Sequence, residues 1–153
     1  MKAKKLEKYI YKGLGFPIEL NDVPLVEFEG KQHPKIDIRK VSENAIRELP
    51  FQKEKFTGNQ IRFIRSFLRM SLREFAKGVV KESHSAVNKW EKFRSKSTNM
   101  DSNIETVLRL YLIEKFCSKT IAEKNKFFTY FQELRSLEFI KEVPKIFIKL
   151  RVS

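Results

Sequence analysis

The chain has 153 residues and a mass of 18.2 kDa; 41% are hydrophobic and 33% charged, with 32 Lys plus Arg against 19 Asp plus Glu and a formal charge of +13. This composition carries enough Phe, Ile, Leu and Val for a core, which excludes a disordered chain, and its length suits one domain or a small domain with appendages. Its apolar runs are far shorter than the roughly 20 residues of a membrane span, and no apolar signal-peptide core follows the first lysines, so a cytoplasmic protein is expected.

Residues 9–38 hold Gly13, Gly15, Pro17, Pro24, Gly30 and Pro34 between short alternating segments, Phe16 to Leu20 and Leu25 to Glu29, and so predict a small β-meander. The apolar spacing of Ile38, Val41, Ala45, Ile46 and Leu49 predicts one helix, ended by Pro50. Thr57 with Gln60, Ser71 with Glu74, Ser102 with Glu105 and Thr120 with Glu123 each have the spacing of a reciprocal helix cap. Behind these starts run the stripes Ile61, Ile64, Leu68; Leu72, Phe75, Ala76, Val79; and Ile104, Val107, Leu108, Tyr111, Leu112. Ser83 caps a further short helix with Val87 and Trp90 facing inward. Ile121, Phe127, Phe128, Phe131 and Leu134 suggest another helix, its Phe cluster read as core or a dimer seam rather than a stacking platform. The segment 145–152 alternates as a strand.

The expected fold is therefore mainly α with a small β component. Its parts are an N-terminal meander and helix over 1–56, a helical domain over 57–116, and a C-terminal helix and strand over 117–153. No cofactor is expected, and no metal, because Cys117, His33 and His84 are scattered rather than clustered. Cys117 reads as a small buried residue and His33 as a loop residue.

The excess positive charge points to a polyanionic partner. It is densest over residues 61–96, with 10 basic and 3 acidic residues. There the segments Ile61-Arg62-x-x-Arg65, Ser71-Leu72-Arg73-Glu74-Phe75-Ala76 and Ser83-His84-x-Ala86-Val87-x-Lys89-Trp90-Glu91-Lys92 resemble the Cro/C1-type (XRE) helix-turn-helix DNA-binding domain, with a tight turn at Gly78. The resemblance implies a five-helix-type domain in which Val87 and Trp90 are core and Arg65 pairs with Glu91. It further implies base reading by His84, Ser85, Asn88 and Lys89, whose chemistry suits base edges, and phosphate contacts from Arg62, Arg69, Arg73, Lys92 and Arg94. Two departures stand out: Leu72 replaces a residue that is commonly polar, and the stretch Gly78 to Glu82 is one residue longer than the usual turn. The Gly-Pro extension before this domain resembles antitoxins of the MqsA-like branch, here without their zinc-binding cysteines.

These readings lead to a double-stranded DNA-binding transcriptional regulator without enzymatic activity. It is expected to be an autorepressor, with a homodimer formed through the C-terminal helix and strand and a cognate toxin as a further possible partner. The strand at 145–152 pairs either with the meander of its own chain or with another chain. Alternatives are a basic module that neutralises a protein or RNA, and a nuclease, for which the two distant histidines supply no convergent catalytic set.

Overall fold

The computed structural model describes residues 4–117, 122, 125–126, 129–130, 132–133 and 139–152. The cap signature at Thr120 and Glu123 and the Phe127, Phe128 and Phe131 cluster lie outside these residues.

β1 (Lys5–Tyr11) turns through a Gly-containing loop into the long β2 (Ile18–Phe28), and β3 (Lys31–Pro34) returns along its far end. β1 and β3 are antiparallel to β2. The two short segments anticipated around Pro17 and Pro24 form one strand instead. Asp22 enters the left-handed region (φ 58°) and bends it midway, so the first half of β2 is covered while the second projects with β3 as an exposed hairpin.

β4 (Ile148–Arg151) lies parallel to β2 of the same chain, Ile18 opposite Ile148 and Leu20 opposite Leu150, on the edge that β1 leaves open. Lys149 faces Glu19, and Arg151 donates to Asp22 across a separation of 129 residues. The alternation of this strand is thus consumed in its own sheet. α1 (Ile38–Glu48), capped by Asp37, packs against β4, bringing Val41, Ala45 and Ile46 into the cluster that holds Ile18, Leu20, Val23, Ile148 and Leu150.

This corrects the expectation of a mainly α protein. Among the described residues a four-stranded mixed sheet joins five helices in a mixed α/β fold. The physical reason is that β2 recruits its parallel partner from the far end of the chain, a pairing that no local pattern encodes. One hydrophobic cluster draws on residues from Phe16 to Leu150, across all three sequence segments.

The helical half contains α2 (Gly58–Phe67), α3 (Leu72–Phe75), α4 (His84–Glu91) and α5 (Ser102–Phe116). The reciprocal caps at Thr57/Gln60 and Ser71/Glu74 are formed, and the Ser83 hydroxyl accepts from Ala86 N–H at 3.1 Å. Two local readings are revised. Gly78 makes no tight turn: α3 continues as a π-helical turn over Ala76–Val80 and stops at Lys81, whose φ of 56° breaks the helix. A π turn absorbs one extra residue per turn, which accounts for the longer segment.

The second revision concerns α5. Its cap is Asp101, which accepts from Asn103 N–H at 2.9 Å, and Glu105 does not return to Ser102. The helix buries Glu105, Leu108, Arg109, Leu112 and Ile113, while Val107 of the expected stripe is 51% exposed. Its inner face keeps Leu108 and Leu112 and takes in Glu105 and Arg109, which meet backbone groups of the segment 50–56. Arg109 donates from Nη1 to the carbonyls of Pro50 (3.1 Å) and Gln52, and from Nη2 to that of Glu54 (2.7 Å). Glu105 Oε1 accepts from Phe56 N–H at 2.6 Å. Its Oε2 receives no hydrogen bond among the described residues and faces Lys55 Nζ at 3.3 Å, and Lys55 also donates to Met100 O at 2.8 Å.

The Arg109 guanidinium lies over the rings of Phe56 and Phe139, at 4.6 and 4.0 Å. Burial pulls its pKa below the ordinary arginine value, and Glu105 pushes it back. Gln52 and Gln60 close the same region with two mutual hydrogen bonds of 2.9 and 3.0 Å. Removing one member of such a centre is expected to cost about 3–5 kcal/mol. Arg109→Leu should lose that much in urea denaturation, whereas Val107→Ala, in the stripe expected from sequence, should stay within about 0.5 kcal/mol of wild type.

Candidate nucleic-acid interface

The frame of the site is the packing of α2 against α4. Gly58, the first residue of α2, abuts the end of α4 so closely that an added Cβ would lie 2.4 Å from Arg94 N and 2.6 Å from Trp90 O. Gly58 N–H donates to Lys96 O and Asn59 N–H to Arg94 O, so the loop after α4 is held by the N-terminal amides of α2. At the opposite end of α2, Arg65 grips Glu91 with two hydrogen bonds, Nε to Oε2 at 2.7 Å and Nη2 to Oε1 at 2.9 Å, and donates from Nη1 to Met70 O at 3.0 Å. The Glu91 contact raises the pKa of Arg65. This bidentate pair fixes both the distance and the roll of α4 relative to α2.

With Val87 and Trp90 buried beneath it, α4 exposes His84, Ser85, Asn88, Lys89 and Lys92, the residues spaced i, i+3 or i+4 along one face. Lys89, Lys92 and Arg94 line one cleft with Phe93, Ser95 and Lys96. Arg62 is exposed on α2 and lines a different cleft, with Gly13, Gly15, Asn59 and Ser66. Arg69 lies in the α2–α3 turn and Arg73 on α3; both are exposed and neither lines these two clefts. The predicted phosphate residues are therefore spread over α2, the α2–α3 turn, α3 and the end of α4 with the loop that follows it. Sequence reasoning missed Lys96; a basic residue two positions beyond Arg94, in a loop pinned by the cap of α2, is the signal that would have found it.

Arg69, Lys81 and Arg94 all adopt left-handed backbone, with φ of 56°, 56° and 55°. They follow the last turns of α2, of the α3–π segment and of α4, positions that glycine fills at lower cost.

His33 is exposed, its ring 6.4 Å from that of Phe28, and the Cys117 thiol donates to Arg47 O at 3.7 Å. Among the described residues no three of His, Cys, Asp and Glu gather to hold a metal ion, and no helix is long and apolar enough to cross a membrane. No family model, curated protein or solved structure matches the chain.

Gly58→Ala should destabilise the protein by about 1–3 kcal/mol, because the new methyl group meets backbone rather than a movable side chain. A double-mutant cycle on Arg65 and Glu91 should return a coupling above the 0.2–1 kcal/mol typical of exposed pairs, given the bidentate geometry and partial burial. Thermal or urea unfolding of Gly58→Ala, of the two single variants at Arg65 and Glu91 and of their double variant measures both quantities.

Proposed function

We propose that the chain is a sequence-specific double-stranded DNA-binding transcriptional regulator of the cytoplasm, with α3 and α4 as a helix-turn-helix that resembles the Cro/C1 type. The reading is carried by one observation: α4 stands on a buried Val87–Trp90 seam and turns outward a contiguous polar and basic face. That face offers Asn88 for an adenine edge, Lys89 for guanine acceptors, and His84 and Ser85 as adaptable donors and acceptors. Arg62, Arg69, Arg73, Lys92 and Arg94 surround it as phosphate contacts that set register. The reaction-free function needs no cofactor. A head of this size buries limited duplex surface, so the regulator works as a homodimer on half-sites about 34 Å apart. Autorepression, with a toxin as protein partner, is the biological setting that the resemblance supplies.

Asn88→Ala and Lys89→Ala should relax base preference at one operator position by about 1–3 kcal/mol. Arg73→Ala should instead weaken binding to all duplexes alike and make the salt dependence shallower by about one unit. Anisotropy titrations against operator variants separate the two classes, and equal, uniform losses would remove α4 from the role of reader. Arg94→Gly offers a further check, since it should raise stability by about 0.5–1 kcal/mol by relieving the left-handed backbone while weakening duplex binding.

A further inference from the structure

The cleft beside α4 does not end at the helical half. Ser95 is shared between the cleft lined by Lys89, Lys92, Arg94 and Lys96 and a second one, of about 350 Å³, in which Lys12, Gly15 and Thr57 stand beside the apolar Phe16, Pro17, Val143 and Phe147. Gly15 is in turn shared with the third cleft, of about 480 Å³, which contains Asn59 and Arg62. The three form a continuous track along the surface. Its lining carries six cations, Lys12, Arg62, Lys89, Lys92, Arg94 and Lys96, and no Asp or Glu. Four of these cations crowd the cleft beside α4 and one stands in each of the other two, whose walls are otherwise polar or apolar and free of carboxylates, so the potential along the track favours a polyanion.

The β1–β2 loop that supplies Lys12 is held in place. Asn59 Nδ2 donates to Gly15 O at 2.9 Å, Phe147 N–H donates to Pro17 O at 3.3 Å, and Gly15 N–H closes the turn onto Lys12 O at 3.0 Å. Asn59 also ties its own backbone N–H to Arg94 O at 2.8 Å, so one residue connects the sheet loop to the loop after α4. Lys12 is exposed beside this junction. The hairpin tip of β2 and β3, by contrast, sets Glu27 and Glu29 against one lysine, Lys31, and so offers a phosphate backbone no net attraction.

We infer that the duplex footprint extends past the helical half onto the N-terminal sheet, with Lys12 of the β1–β2 loop contacting a DNA phosphate that flanks those held by Lys92, Arg94 and Lys96. The inference rests on the duplex-binding reading above and deepens it: the sheet is part of the DNA-binding surface as well as a scaffold. The contact carries no base information, because a lysine on a phosphate neutralises charge and releases counterions whatever the sequence.

The test uses the full chain and a labelled 24-base-pair duplex of arbitrary sequence, titrated from low to physiological salt. Lys12→Ala, with unchanged melting, should make the slope of log K against log salt shallower by about one unit, and by a similar amount on unrelated duplexes. Lys35→Ala, an exposed lysine at the end of β3 outside the track, should keep the wild-type slope. A Lys12→Ala protein with wild-type affinity and slope, beside a Lys92→Ala protein that loses both, would overturn the inference and leave the DNA reading standing. Equal losses from Lys12→Ala and Lys35→Ala would also overturn it, since net charge alone would then account for the effect. A wild-type protein that ignores the duplex, or prefers a 24-nucleotide RNA, would overturn the DNA reading and this inference together.

Discussion

The buried Arg109 guanidinium is the interaction on which the arrangement depends. The segment 50–56 bonds on one edge to Ile140, through Lys53 O and Lys55 N–H, and leaves the carbonyls of Pro50, Gln52 and Glu54 facing α5, where they need other donors. Arg109 supplies them to Pro50, Gln52 and Glu54, and Glu105 takes the amide of Phe56. Replacing a buried ion pair by apolar side chains is often neutral, because desolvation offsets the Coulomb attraction. That exchange is costly here: the groups served are backbone carbonyls, which no side-chain substitution removes, and although Pro50 O also accepts from the Tyr130 hydroxyl and Glu54 O from Gln52 Nε2, the loss of the Arg109 donors costs free energy.

From that centre the geometry propagates outward. The segment ends in Thr57, which caps α2, and Gln60 of the same cap bonds back to Gln52. α2 then sets α4 through Gly58 at one end and Arg65 at the other. A face of α4 is only as well defined as these contacts, because a small roll would bring Val87 outward and take Asn88 or Lys89 out of line. The loop after α4, the N-terminus of α2 and the β1–β2 loop meet at Asn59. The backbone that carries these cations is therefore fixed by hydrogen bonds of Asn59, Gly58 and Arg65, while their side chains stand in solvent.

The legible parts of the chain were those with a local cause. Thr57/Gln60 and Ser71/Glu74 need only their own four residues to form, and the inward positions of Ile61, Ile64, Phe75 and Val79 follow from helical period. In α5 the stripe of Ile104, Leu108, Tyr111 and Leu112 packs against the core as its period predicts, but Val107 is exposed, and Glu105 and Arg109 join the inner face because they serve backbone groups of the segment 50–56. Glu105-x-x-x-Arg109 at helical spacing was visible, yet on periodicity alone it reads as an exposed pair. The Gly78 turn failed differently, since a π turn and a tight loop both accommodate one extra residue and only the packing of Val79 and Val80 into the core chooses between them.

By itself the sequence determined the charge, the caps and the amphipathic periods, because each is a property of neighbours along the chain: a +13 surface concentrated over 61–96, helices beginning at residues 58, 72 and 84, and an alternating segment at its end. The tertiary structure alone decided that this last segment runs parallel to β2 and makes the fold mixed α/β, that α5 buries a salt bridge, and that Lys12 lies on the same track as Arg94 and Lys96. Each of those depends on groups brought together from distant parts of the chain, and on unpaired backbone polar groups whose demands arise only once the segments have met.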